Sequence, residues 1–135
     1  MIRKMLVVDD SQLLHKMYEL VLRRYVVRGT SVVHAYDGAQ ALDLLGVHAD
    51  IDLILLDVNM PKMDGIEFLR RRQPDAALAR IPVIVISTEG KEQDAQLAIA
   101  EGAVDYLTKP FDPSRLHAKI ESVIGKDNGE SRANG

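Results

Sequence analysis

The sequence contains no cysteine. That one absence removes disulfides, thiolate metal sites, iron–sulfur clusters and cysteine nucleophiles together, and it fits a reducing compartment. No apolar run approaches the roughly 20 residues that a membrane-spanning helix needs. The opening stretch, Met-Ile-Arg-Lys-Met-Leu-Val-Val-Asp-Asp, is basic and then apolar. Its apolar part is too short for a signal peptide and meets two acids at once. Charge of one sign is also scarce: acids outnumber bases by only 20 to 17, a formal net charge of −3. This argues against a chain-wide affinity for nucleic acid or anionic membrane. There is no low-complexity tract. With 135 residues, 47% hydrophobic and 27% charged, the chain has the size and balance of one globular domain. The reading is a cytoplasmic, single-domain protein.

What is present is an alternation. Short apolar runs fall at Met5–Val8, Ser31–Ala35, Leu53–Leu56, Val83–Ile86 and Val104–Leu107. Three of them are apolar throughout, the habit of parallel strands covered on both faces. The segments between them read as amphipathic helices. Leu13, Leu14, Met17, Leu20 and Val21 mark the first, within Ser11–Arg28, and Gly29 stops it. Asp37 with Gln40 starts a second, carried by Ala41, Leu42 and Leu45 and ending at Gly46. Asp64 and Glu67 have capping-box spacing for a third, which must end before Pro74. Ala95, Ala98 and Ile99 mark a fourth, stopped by Gly102. Asp112-Pro113 opens a fifth, with Leu116, Ile120, Val123 and Ile124 as its apolar face before Gly125. Five strand–helix units in register predict an α/β domain over residues 1–125, with a parallel sheet, right-handed crossovers and helices on both faces. Residues 126–135 hold one alanine among polar, charged and glycine residues and read as a flexible polar tail.

The strand ends are chemically distinctive. Strand 1 ends in Asp9-Asp10, strand 3 in Asp57, strand 4 in Ser87-Thr88 and strand 5 in Thr108-Lys109-Pro110. Ligands of open parallel sheets bind outside these carboxyl ends. Taken singly, Asp10 is an ordinary helix cap, Asp57 a turn residue and Lys109 a solvated charge. Taken together they are not ordinary, because crowded carboxylates raise one another's pKa unless a cation neutralises them. A divalent ion and a lysine ammonium would do so, and magnesium suits carboxylates, carbonyls and water.

Val8-Asp9-Asp10-Ser11, Leu56-Asp57-Val58-Asn59-Met60-Pro61-Lys62-Met63-Asp64-Gly65, Ile86-Ser87-Thr88 and Tyr106-Leu107-Thr108-Lys109-Pro110-Phe111 follow one another along the chain. In motif, order and spacing the sequence resembles the receiver domain of two-component response regulators, and most resembles the single-domain chemotaxis type. The resemblance covers about residues 3 to 125. It implies a flavodoxin-like (βα)5 three-layer sandwich with sheet order 2-1-3-4-5. It implies Asp57 as phosphoryl acceptor from a sensor histidine kinase or histidine phosphotransfer protein. It implies Asp9, Asp10, Asp57 and the main-chain carbonyl of Asn59 as holders of magnesium or manganese, with Asp10 the favoured direct ligand. Lys109 then balances phosphoryl charge, Ser87 is the switch hydroxyl and Tyr106 the switch aromatic on a face of the fourth helix, fifth strand and fifth helix. The resemblance further implies that Asn59 and Glu89 tune phosphate lifetime and that the Lys109–Pro110 bond is cis. The expected output is contact with a downstream target protein, by a monomer or a phosphorylation-dependent dimer, without direct nucleic-acid binding or membrane insertion. Its own phosphorylation and dephosphorylation are the chemistry expected, not turnover of an external substrate.

Other readings weigh less. A receiver fragment of a longer DNA-binding regulator is the alternative; the start methionine and the short tail favour the stand-alone form. An aspartate-nucleophile phosphatase needs a second acid two residues after the nucleophile, where this chain has Asn59. A flavin site lacks a phosphate-cradling glycine loop after strand 1. His15, His34, His48 and His117 share no ligand spacing and read as surface or strand residues. Arg70-Arg71-Arg72 reads as a solvated, dipole-complementing run.

Overall fold

The computed structural model describes residues 2–60, 65–88 and 90–134, those beyond 125 by backbone alone. The elements run β1 (Lys4–Val8), α1 (Gln12–Val21), α2 (Arg23–Val26), β2 (Ser31–Ala35), α3 (Gly38–Val47), β3 (Ile51–Asp57), α4 (Gly65–Arg72), α5 (Ala76–Ala79), β4 (Val83–Thr88), α6 (Glu92–Ala100), β5 (Asp105–Lys109) and α7 (Pro113–Asn134). The strands form one sheet in the order β2-β1-β3-β4-β5. Each neighbouring pair is parallel. This is the three-layer architecture expected from the sequence.

The unbroken apolar runs have a simple cause. Successive strand residues point to opposite faces, and both faces are covered. Leu6, Val8, Ile54, Leu56, Val83 and Val85 pack with Phe68, Leu69 and Ala98 on one side. Met5, Val7, Leu53, Leu55, Ile84 and Ile86 pack with Tyr18, Leu22, Leu116 and Ile120 on the other. α3, α4 and α6 therefore cover one face, and α1, α2 and α7 the other.

Several helix details differ from the sequence reading. The first predicted helix is two, α1 and α2, joined at Leu22, whose φ and ψ of −88° and 0° depart from helix. Its buried face is not centred on Leu13 and Leu20, which are 76% and 72% exposed. The tyrosines carry it instead: Tyr18 and Tyr25 are buried, and they stand four and eleven residues after Leu14, on the same face. α5 follows a break at Pro74 and is capped by Asp75, which accepts from the Ala77 and Leu78 N–H groups. Its four residues fall below the length at which periodicity is readable. α6 does stop near Gly102, whose φ of 111° suits glycine. α7 continues past Gly125 to Asn134. The apolar stripe ends at Ile124 as expected, but glycine, unlike proline, leaves the backbone hydrogen-bond ladder intact. Asp64, read as the cap of the third helix, lies outside the described residues.

Arg72 overturns the reading of the arginine run. It is 2% exposed, and its Nη1 donates to the Leu78 and Ile81 carbonyls at 2.6 and 3.0 Å. Arg70 pairs with Glu101 and Arg71 with Glu67. Only the latter two behave as surface charges.

Candidate phosphoryl-transfer site

The sheet order places β1 and β3 side by side at its centre. Val8 registers with Leu56, so Asp9, just past β1, and Asp57, the last residue of β3, come side by side at the carboxyl end of the sheet. The crossovers diverge at this point, β1 toward β2 and β3 toward β4, and open the crevice in which such sheets bind ligands. Asp9, Asp10 and Asp57 each bring a carboxylate oxygen within 4.8 Å of the others. Asp9 and Asp57 are buried at 0% and 2% exposure, while Asp10 faces solvent.

Each buried carboxylate is held. Asp9 Oδ1 accepts from the Ser11 N–H at 2.9 Å, and its Oδ2 accepts from Lys109 Nζ at 3.2 Å. Asp57 Oδ1 accepts from the Asn59 N–H at 2.9 Å, and its Oδ2 lies 3.5 Å from the same lysine nitrogen. Lys109 arrives from β5, two strands from β3, and its ammonium bridges the two buried acids. Burial pushes the Asp57 carboxyl above the ordinary range; the Asn59 N–H and Lys109 pull it down, while Asp9 and Asp10 add to the rise. One lysine does not fully balance the cluster. All the available donors are oxygens, the chemistry of a hard divalent cation, and the exposed Asp10 offers a carboxylate free of the protein core. The residues fit magnesium.

Ser87 registers on β4 beside this crevice. It is fully buried, and its Oγ has no hydrogen-bond partner among the described residues. A buried hydroxyl without a partner is costly, and this one stands one residue beyond Ile86, the partner of Asp57 in the ladder. Tyr106 lies on β5 in register with Val85. The residue is 41% exposed, with the Lys119 ammonium 5.8 Å from the centre of its ring. The Lys109–Pro110 bond is cis. Glu89 lies outside the described residues.

Asn59 is more engaged than its sequence position suggests. Its side-chain Nδ2 donates to Asp94 at 2.8 Å, and its Oδ1 accepts from the Thr88 N–H at 3.1 Å. The amide thus ties the residue two beyond Asp57 to the end of β4 and the first turn of α6. His15, expected as a surface or strand residue, is instead buried on α1. It is 3% exposed, 2.7 Å from the Asp9 main-chain oxygen and 2.7 Å from His34 Nδ1. The signal available in the sequence was its place five residues after Asp10 on a helix that must pack against the sheet.

Comparison with known proteins agrees with this geometry. The response regulator receiver domain family matches residues 5–121. The chain belongs to that family. It is 34% identical over 130 residues to the chemotaxis protein CheY homolog of Campylobacter jejuni, covering 96% of this chain and 98% of that one. It is 40% identical over 121 residues to the transcriptional regulatory protein CpxR of Escherichia coli, covering 90% of this chain but 49% of CpxR. Among solved structures, the chemotaxis response regulator CheY4 of Vibrio cholerae superposes with a TM-score of 0.79 at 32% identity, covering 91% of this chain and 99% of that one. The chain is a CheY-like receiver domain of two-component signalling, a family of phosphoacceptor switches that bind magnesium through such an acidic cluster. Among the described residues, no helix is long and apolar enough to cross a membrane.

Proposed function

We propose that this chain is a phosphoryl-accepting switch with Asp57 as acceptor. The observation that carries this is the meeting of Asp9, Asp10 and Asp57 within 4.8 Å under a single lysine that reaches both buried acids. An Asp57 carboxylate oxygen attacks phosphorus and forms the new P–O bond. The P–N bond of a phosphohistidine breaks, and its electron pair returns to the donor's imidazole. The donor is a sensor histidine kinase or a histidine phosphotransfer protein. Asp10, Asp9, Asp57 and the main-chain carbonyl of Asn59 would hold magnesium, or manganese in its place. Bound there, the ion supplies positive charge to the transferring phosphoryl oxygens. Lys109 supplies a second positive charge, its ammonium lying against both buried acids. The Asn59 N–H keeps Asp57 oriented.

Ser87 is the switch hydroxyl. Its partnerless Oγ gains an acceptor when a phosphoryl oxygen arrives, so phosphorylation selects the conformation in which it donates. Tyr106 follows from its exposed position and reshapes the surface of α6, β5 and α7, which meets a downstream target protein. Asn59 and Glu89 tune phosphate lifetime. The setting is cytoplasmic, the chemistry is confined to the protein's own aspartyl phosphate, and the protein acts as a monomer or a phosphorylation-dependent dimer.

Incubation with a small acyl-phosphate donor and magnesium, followed by intact mass measurement, tests the assignment. One phosphate is gained by the parent and none by Asp57→Asn. Undiminished labelling of the variant overturns it. With a beryllofluoride mimic bound, Tyr106 should change environment by NMR or fluorescence, and target affinity should change with it.

A further inference from the structure

A pair of histidines stands directly behind the acidic cluster. His15, on α1, is 3% exposed. Its Nε2 lies 2.7 Å from the main-chain oxygen of Asp9, and its Nδ1 lies 2.7 Å from Nδ1 of His34 on β2. The Tyr36 ring packs on it at 4.3 Å between centres. A carbonyl oxygen carries no proton, so His15 Nε2 must donate. A neutral imidazole has one N–H, so His15 Nδ1 accepts and His34 Nδ1 donates. With His15 neutral, the bonding thus puts its proton on Nε2 and a proton on His34 Nδ1, while His34 Nε2 lies 3.7 Å from Glu19 Oε1.

The carbonyl they hold belongs to the peptide that joins Asp9 to Asp10. That unit is planar, so an anchor at its oxygen sets the direction in which Asp10 leaves the chain. The other bonds at this junction act on either side of that peptide: the Asp9 N–H donates to the Ala35 carbonyl, the Asp9 carboxylate accepts from Lys109, and it accepts from the Ser11 N–H, which fixes the peptide on the far side of Asp10. Asp10 is exposed, and its own carboxylate has no hydrogen bond among the described residues. α1 also does not need a histidine in order to pack, since Tyr18 and Leu22 already seat it on the sheet.

We infer that His15, oriented by His34, is a positioning residue that presets Asp10 for the divalent cation. This rests on the reading of Asp10 as a metal ligand given above. Outer supports of this kind are worth ten- to a hundredfold in metal affinity.

Magnesium binding by calorimetry at pH 8, above the ordinary imidazole pKa of about 6.5, tests it on the full chain. His15→Phe should weaken magnesium binding about tenfold or more while keeping the parent's circular dichroism and a cooperative melt in EDTA. His15→Gln, whose amide nitrogen reaches the same place and donates the same bond, should restore most of the affinity. His34→Phe should weaken binding as well, and it serves in place of His15→Phe if that variant does not fold. Nitrogen-15 NMR of the parent should show His15 protonated at Nε2 and His34 at Nδ1. Parent-like affinity in both phenylalanine variants, or the opposite tautomers, overturns the inference and leaves the function reading standing. A parent that binds no magnesium overturns both.

Discussion

At the scale of single residues, Asp57 is the point at which stability and chemistry conflict. Its carboxyl is raised by burial and by the acids beside it. A raised acid binds its proton more tightly in the folded state than in the unfolded one. Between the unfolded pKa, 3.8, and the higher folded value, stability therefore falls as pH rises, and above that window the loss is complete. In magnesium-free buffer at pH 7, Asp57→Asn should melt at a higher temperature than the parent. Asparagine keeps an acceptor for the Asn59 N–H and removes a buried charge. The gap between the two proteins should narrow as pH falls toward the lower end of the window, which thermal melts at a series of pH values would read. The acids of the site were legible because they end apolar strands, where an open parallel sheet must expose them. Arg72 and the histidine pair were not. Arg72 finds its acceptors at Leu78 and Ile81, beyond a proline, and His15, on α1, finds His34 nineteen residues away on β2. Neither partnership has a local sequence signature.

At the scale of elements, the strands were the more readable. The continuous apolar character of β1, β3 and β4 comes from being covered on both faces. The helices were found, but their faces were placed less well, because a tyrosine such as Tyr18 can bury fully and outrank an exposed leucine such as Leu13. The entry into α4 shows how closely one element bears on the site. A Cβ built on Gly65 would stand 2.7 Å from Val58 Cα and 2.9 Å from the Asp57 carbonyl oxygen. Both are backbone atoms and cannot swing aside. Gly65→Ala should therefore cost about 2 kcal/mol or more, the range of forced overpacking, as read by urea unfolding. It should also slow acceptance of phosphate, because the strain is delivered to the residue pair at the end of β3.

At the scale of the whole molecule, the site belongs to no single part of the chain. Its acids come from the two central strands and its lysine from the far edge strand β5. An ion bound by the folded arrangement and not by the unfolded chain raises stability by mass action, about 2.7 kcal/mol at a hundred times its dissociation constant. Magnesium should accordingly raise the melting temperature of the parent. The increase should shrink sharply in Asp10→Asn, which retains the sheet and loses a proposed ligand. Equal increases in both proteins would place the ion elsewhere.

The bond from Lys109 to Asp9 joins residues 100 positions apart. As the chain leaves the ribosome, the first acids of the site emerge early and the cation that balances them is among the last parts of the fold to be made. Until β5 docks, the end of the sheet carries concentrated negative charge without that balance. Contacts across such a sequence distance are the slow ones in folding. The ammonium that balances the first acids of the site thus reaches them only once the last strand of the sheet is in place.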